Sequence, residues 1–357
     1  MAIQFCDGFD QYSSQADVQQ VWNRFQQEMA ITLEDDTPYG RGKAIKFGKA
    51  GASHPGISIQ VPNPVNQVGC SFHLKVLEYP TSSYYRGLIE FKDGTSSDTH
   101  CTLSLNANGT LRFNARDASS SISNYVIVAE TIESIPLNTW VHVEVRVLIS
   151  NSGTVEIRIN GNFAGSGSGD TYTGNSAVVN VITAGRQVYS GANSAGIILM
   201  DNFVFWDTTG STNNTFLGEV EVATLAPVAD VDITDWTPSE GSDGYAMIVD
   251  EEGFDGDDTY IASDVEDAVA VFELGNLPSV NMRVLGVQAF AVARKDESGD
   301  RSLALGVDSD DEVVDASPSP LSNVYTGKMA FFENDPATGI AWQRSAVNAV
   351  KLRTKVV

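Results

Sequence analysis

The side chains able to do chemistry are few and widely spaced. Four histidines, His54, His73, His100 and His142, stand far apart, and no G-x-S-x-G turn accompanies them. A serine nucleophile with a histidine base is therefore not expected, and the histidines read as surface or hydrogen-bonded residues. Glu144 and Glu156 alternate with arginines in "VHVEVRV" and "GTVEIRI". That pattern fits the solvated face of a sheet better than the paired acids of glycoside hydrolysis, and no E-x-D-x-x-E strand is present. The chain is expected not to be an enzyme.

Binding chemistry is better represented. Asp255, Asp257 and Asp258 in "DGDDT" bring hard oxygens close together and are candidate ligands for a structural calcium. No twelve-residue loop with glycine at its sixth position surrounds them, so solvated acidic turns compete with that reading; no other cofactor is expected. The acidic run Asp308–Glu312 is read the same way, and Asp201 with Asn202 is read as hydrogen-bonding structure rather than as an ion site. Sugar binding would use exposed rings beside polar side chains, because a ring face stacks on the apolar face of a pyranose. Tyr84 and Tyr85 in "PTSSYYRG", Tyr172 in "SGDTYTGN" and Tyr189 in "GRQVYSGAN" are the candidates.

Charge narrows the partners. The 357 residues carry 22 Lys and Arg against 46 Asp and Glu, a net −24. Such a surface repels phosphate backbones and anionic lipid, so no nucleic acid and no membrane insertion are expected. From Gly218 onward there are 27 acidic and 9 basic residues; before it there are 19 and 13. The change in balance predicts two domains, 1–210 and 219–357, joined by a polar linker at 211–218. Three scattered cysteines provide neither a disulfide framework nor a zinc site. No charged-then-apolar leader opens the sequence, which predicts synthesis in the cytoplasm without a signal peptide.

The elements that must hold these residues are strands. "GKAIKFG", "GISIQVP", "CSFHLKVLEY", "RGLIEFKDG" and "CTLSLNANGTLRFNAR" alternate apolar and polar residues between turn formers, as antiparallel strands do. One short helix follows "CDGFDQY": Ser14 and Asp17 approximate a capping box, and Val18, Val21, Trp22 and Phe25 form a stripe expected to dock on the first sandwich. In Thr139–Gly165, a loop centred on Gly153 would set Arg146 opposite Arg158. A one-residue shift would instead pair Glu144 with Arg158 and Arg146 with Glu156. The glycine turn is weakly preferred, and Asn160-Gly161 marks the next reversal. "CDGFD" and "MDNFVFWD" share an Asp-x-Phe pattern and are expected to lie side by side, closing the domain.

Trp140 before "VHVEVRV", then "GTVEIRINGNFAG" and "ILMDNFVFWD", resembles the laminin-G/concanavalin A-like jelly roll. The resemblance implies an all-β chain of two tandem antiparallel β-sandwich domains, the first a jelly roll with one short N-terminal helix. "DGFDQY" with its helix, the segment "TLAPVADVDITDWTPSEGSDGYAMIVDEEGFDGDDTYIAS" and the close "ENDPATGIAWQRSAVNAVKLRTKVV" are similar to tailed-bacteriophage virion proteins. That likeness implies a structural virion component of the tail or its fibres, assembled with other virion proteins and copies of itself. The alternatives are a head decoration protein or a carbohydrate-binding adhesin that recognises a host surface glycan.

Overall fold

The computed structural model describes residues 2–22, 24–25, 31–48, 56–81, 85–94, 99–116, 125–173, 176–186, 196–249, 253–279 and 282–357. They fall into two compact units, Met1–Asp10 with Trp22–Val222, and Gln11–Val21 with Ala223–Val357. The chain is nearly all β, in antiparallel sheets.

In the first unit the described strands are β1 (Ile3–Asp7), β2 (Arg24–Phe25), β3 (Ile31–Glu34), β4 (Ala44–Phe47), β5 (Ile57–Val65), β6 (Gln67–Glu78), β7 (Tyr85–Lys92), β8 (Thr99–Asn106), β9 (Leu111–Arg116), β10 (Tyr125–Glu130), β11 (Trp140–Leu148), β12 (Gly153–Ile159), β13 (Asn162–Gly169), β14 (Val179–Ala184) and β15 (Ile197–Asp207). Two sheets result. The first runs β13-β12-β11-β6-β15-β4-β3, with β1 paired to β15; the second runs β10-β9-β8-β7-β14-β5-β2. Strand alternation fills the space between them. Cys70, Phe72 and Leu74 of β6 and Val143, Val145 and Val147 of β11 are buried, as are Phe91 of β7, Leu103 of β8 and Phe113 of β9. Each such large apolar side chain contributes about 1.5–3 kcal/mol.

The two Asp-x-Phe strands do lie side by side, with Asp7 opposite Phe203 and Ile3 opposite Trp206. The hairpin of β11 and β12 takes the register that was not preferred, Glu144 opposite Arg158 and Arg146 opposite Glu156. Gly153 explains why. It has no positive φ; its missing side chain instead leaves room for Thr171, whose Oγ1 would sit 2.0 Å from an added Cβ. That hydroxyl donates to the Leu148 carbonyl at 2.6 Å and accepts the Ser150 N–H at 3.0 Å. The next reversal is a left-handed pair, Asn160 at φ 50° and Gly161 at φ 75°, as an Asn-Gly turn requires.

The helix α1 (Gln15–Val21) belongs to the second unit, contrary to its expected docking on the first sandwich. Its cap is as expected: the Ser13 and Ser14 N–H groups donate to Asp17 Oδ2, and the Asp17 N–H donates to Ser14 Oγ. The apolar stripe divides. Val21 packs beside Gly327 of the second unit, whereas Trp22 lies in the first, donating to Asp7 Oδ2 at 2.7 Å and stacking on Phe9. The Phe25 side chain lies outside the described residues. Residues 211–218, read from their polarity as a linker, fall within the first unit, which runs on to Val222.

The second unit holds β16 (Pro227–Asp232), β17 (Thr237–Pro238), β18 (Ile261–Ala262), β19 (Val269–Leu274), β20 (Val287–Ala293), β21 (Ser302–Ser309), β22 (Glu312–Asp315), β23 (Ser319–Pro320), β24 (Thr326–Phe332) and β25 (Lys351–Val356). Its main sheet runs β16-β19-β25-β21-β22, and β20 and β24 form a separate ribbon. Leu303, Leu305 and Val307 of the sheet share one core with Ala289, Ala330 and Phe332 of the ribbon and with Trp342. Trp342 Nε1 donates to the Phe332 carbonyl at 2.9 Å, which satisfies the one polar atom of this buried side chain.

Candidate functional site

The outward face of the second sheet is built by side chains that alternate with the core. Phe91, Leu103, Phe113 and Ile182 point inward, so their neighbours point out. Pairing aligns Asn114 with Thr102, Thr102 with Glu90, Glu90 with Thr183, and Thr183 with Ser58. One polar side chain from each of five adjacent strands thus forms a row about 19 Å long at ordinary strand spacing. All five are 2–6% exposed. A buried polar face is costly unless its groups are bonded, and hydrogen bonds engage Ser58, Thr183, Glu90 and Asn114. Ser58 Oγ and Thr183 Oγ1 lie 2.8 Å apart, and Asn114 Nδ2 donates to Ser104 Oγ at 2.9 Å. Arg186 Nη1 reaches both oxygens of Glu90, at 3.0 and 2.8 Å, and Lys92 Nζ lies 3.7 Å from the same carboxylate.

Aromatic rings mark the two ends of β8. Tyr85 pairs with Asn106 at one end. At the other, the Tyr172 ring lies 5.8 Å from that of His100. His100 itself is fixed in one tautomer. Its Nδ1 accepts the Thr173 N–H at 3.0 Å, which leaves Nε2 to donate to the Val178 carbonyl at 3.0 Å. Two of the four tyrosines expected to bind sugar therefore flank one polar floor; Tyr84 and Tyr189, like His54, lie outside the described residues.

The outward face of the first sheet is covered by the unit's own residues 208–222. Phe216 meets Trp206 edge-on and lies beneath the guanidinium groups of Arg158, at 3.9 Å, and Arg146, at 5.0 Å. The Leu217 and Gly218 N–H groups donate to Glu144 Oε1 at 2.7 and 3.1 Å. Tyr39 and Arg41 hold Glu219 and Glu221, and the Val222 N–H reaches Asn202 Oδ1 at 2.6 Å. Asn202 adopts φ 53° where the β15 register shifts, and its N–H bonds Asp201, so this pair is hydrogen-bonding structure as expected.

Glu144 and His142 correct the expectation of a solvated face. Both are buried beneath this strap, and His142 Nε2 lies 2.7 Å from Ser71 Oγ. Burial shifts the groups there. His73 and His142 are lowered to about 4, the second also by its neighbour His73; Glu144 is raised, and Asp201 is raised to about 8.

The acidic trio in the second unit is engaged with neighbouring groups. Asp257 accepts from Tyr325 and Arg294, which hold its carboxyl below the usual range, and Asp255 caps Thr259. The Asp258 N–H donates to the Asp255 carbonyl at 3.5 Å. Among the described residues no group of three or more His, Cys, Asp or Glu side chains is placed to hold a metal ion. Asp308, from the other acidic run, pairs with Lys351 at 3.0 Å.

Sequence reasoning missed the row of five. Part of its signal was present in "CTLSLNANGTLRFNAR": apart from Arg112, outward positions such as Thr102, Ser104 and Asn114 carry small hydrogen-bonding groups rather than the Lys and Glu of a solvated strand.

No protein-family model matches the chain, and no curated protein matches it. Solved structures do. The endo-β-1,4-glucuronan lyase of Trichoderma reesei is 12% identical over 57% of this chain and 95% of that one, with a TM-score of 0.42. The cellulose-induced protein Cip1 is 12% identical over 60% and 100%, TM-score 0.44. Domain 4 of the arabinanase AbnA from Geobacillus stearothermophilus, in complex with arabinotriose, is 19% identical over 58% and 93%, TM-score 0.37. An alginate lyase and a Trypanosoma rangeli sialidase match at 15% identity. The expectation of a chain that is not an enzyme is corrected accordingly, since lyases and a sialidase are among the matched structures; likeness at this level assigns this chain no reaction.

Proposed function

We propose that the first unit recognises a polysaccharide across the outward face of its second sheet. The row Asn114–Thr102–Glu90–Thr183–Ser58 carries this reading, with Tyr85 and Tyr172 at the two ends of β8. Hydroxyl, amide and carboxylate groups at strand spacing match the hydroxyls of an extended sugar chain, and the end rings supply stacking surfaces. The reading rests on that row and not on the fold likeness.

A panel of immobilised polysaccharides tests it, with retention and release of reducing ends both measured. The wild-type chain is expected to be retained on at least one polymer, and Asn114→Ala and Tyr172→Ala to weaken that retention. Failure on every polymer refutes the reading. A virion role, with other virion proteins and copies of the chain as partners, is a second proposal that rests on the sequence resemblance. Copurification with particles would support it, and absence from purified particles would refute it.

A further inference from the structure

Asp201, His73 and His142 stand directly across from one another on β15, β6 and β11, each 2–3% exposed. The two imidazole rings lie 5.2 Å apart between centres. Ser71 meets Nε2 of His142, but Nδ1 of His142 and both ring nitrogens of His73 are buried without a hydrogen-bond partner. Such nitrogens recover their bonds only where water reaches them. Protonation raises the cost of keeping them dry, since each imidazole then has two donors and a charge to satisfy.

The cover over this row is the strap of residues 208–222, and its hold is slight beside that of the strands beneath. The N–H groups of residues 217, 218 and 222 go to the side chains of Glu144 and Asn202, and Glu219 and Glu221 go to Tyr39 and Arg41. β6, by contrast, is paired along its length with β11 on one side and β15 on the other. A segment held by a few side-chain bonds opens at a lower free energy than a central strand. The charged and titratable groups facing the two rings are Asp201, Glu144, Tyr39, whose ring lies 5.3 Å from His73, and Glu219, 3.6 Å from His73 Nε2. Asp7, Asp10 and Glu221 act on Asp201 in turn, and Arg158 and Glu156 on Glu144. Glu219 is 61% exposed, so water screens its attraction for a charged His73. Burial holds both imidazoles down at about 4, and lifting the strap returns them toward 6.5, so acid favours the lifted form. Asp201 and Glu144, raised by the same burial, oppose this and limit the net proton uptake.

We propose that residues 208–222 form a proton-released strap, which on acidification lifts from the outward face of the first sheet while the sandwich beneath stays folded. The inference is independent of the polysaccharide reading, which concerns the other sheet.

Amide hydrogen exchange of the full chain is followed from pH 6.5 to 4.5, each rate divided by the intrinsic rate at that pH. Protection at Leu217, Gly218 and Val222 is expected to fall at least threefold over this range. It should also stay at least tenfold below the protection of Phe72 and Val145 in the strands beneath, and be insensitive to low urea, which promotes global unfolding. In the double variant His73→Asn/His142→Asn, Asp201 and Glu144 act without the histidines, and strap protection should instead rise as pH falls. Glu219→Gln, at an exposed position, removes the strap acid that faces His73 and should steepen the loss at least twofold; it decides the matter if the double variant does not fold. Strap amides as protected as those of the strands, and equally sensitive to urea, would show that the face opens only by global unfolding and overturn the proposal. So would strap protection that does not change with pH, an acid loss retained in the double variant, or a loss in Glu219→Gln no steeper than in wild type.

Discussion

Both outward faces of the first sandwich are buried and polar, but they are completed in different ways. On the first sheet the chain supplies its own cover, and main-chain N–H groups of residues 217, 218 and 222 satisfy Glu144 and Asn202. Polar atoms are nevertheless left over there: both ring nitrogens of His73, Nδ1 of His142 and Oε2 of Glu144. On the second sheet the polar groups come in register from five strands, and several bond one another side chain to side chain. The first arrangement commits its groups to the backbone. The second bonds its groups side chain to side chain, and a ligand hydroxyl that reached them would trade one hydrogen bond for another. The comparison predicts that changes on the first face alter stability and changes on the second alter binding.

The largest effect is expected at Glu144. Glu144→Ala removes the acceptor of two strap N–H groups, at 2.7 and 3.1 Å, from a buried site. A loss of about 3 kcal/mol follows from the strength of hydrogen bonds to a carboxylate. Glu144→Gln keeps a carbonyl oxygen in place, and burial already favours the uncharged acid, so it costs less than about 1 kcal/mol. Urea denaturation of the three proteins measures both, and polysaccharide retention by Glu144→Gln should match wild type. A large binding loss with unchanged stability would break the comparison.

Acid and base act on the same face. Folded His73 and His142 protonate near 4, against 6.5 unperturbed, so the unfolded chain holds more protons between those values and stability falls as pH drops from 6.5 toward 4. Asp201 works in the opposite sense. Raised from 3.8 to about 8, it holds its extra proton in the folded state, and stability falls as pH rises across that window. Glu144, raised on the same face, works in the same sense as Asp201, so the two histidines leave a net dependence of at most about one proton, about 1.4 kcal/mol per pH unit, between pH 4 and 6.5. Above 6.5 the histidines no longer contribute and the slope reverses up to pH 8. Unfolding midpoints across this range should peak near pH 6.5, and His73→Asn with His142→Asn should remove the loss on the acid side. A profile flat from pH 4 to 8 contradicts the assignment of this face.

The second face responds in binding. Thr102→Val preserves shape and β propensity at the row's second position, between Asn114 and Glu90, while removing one hydroxyl. Its stability should change by less than about 0.5 kcal/mol, while retention on the polysaccharide falls by about tenfold, the 1.4 kcal/mol of one well-placed hydrogen bond to a ligand. Equal retention by Thr102→Val and wild type would remove the row from the binding surface.

How much of this was legible in the sequence follows from how local each signal is. The closing pair β1 and β15 was visible because Asp7-x-Phe9 and Asp201-x-Phe203 repeat a pattern, and Asn160-Gly161 specifies a turn by its own backbone preferences. The row of five was not visible, since each strand contributes a single side chain and only register lines them up. Tyr172 was found for its ring and loop composition, but its neighbour His100 lies 72 residues earlier in the sequence. Glu144 and His142 were misread because alternation identifies the outward face without saying that residues 208–222 return to cover it. Residues 211–218 were misread for the same reason: their polarity looks like a linker, and their N–H groups are what the face needs.

The smallest effect, and the finest test of the first face, lies at its rim. The register that pairs Arg146 with Glu156 and Glu144 with Arg158 places Glu156 between two arginines, Arg158 at 2.8 Å and Arg146 at 3.6 Å. These side chains are a quarter to a third exposed, so water screens them and the pairs are worth little. Glu156→Gln should cost about 0.5 kcal/mol in low salt and less in 0.5 M salt. Its consequence should also differ in kind from that of Glu144. Arg146 and Arg158 are held over Phe216 as well, and that contact survives the loss of Glu156. A salt-independent loss of 2 kcal/mol or more would mean that Glu156 fixes the strap through the two arginines, and the boundary between the covered strip and its solvated rim would move outward by one strand.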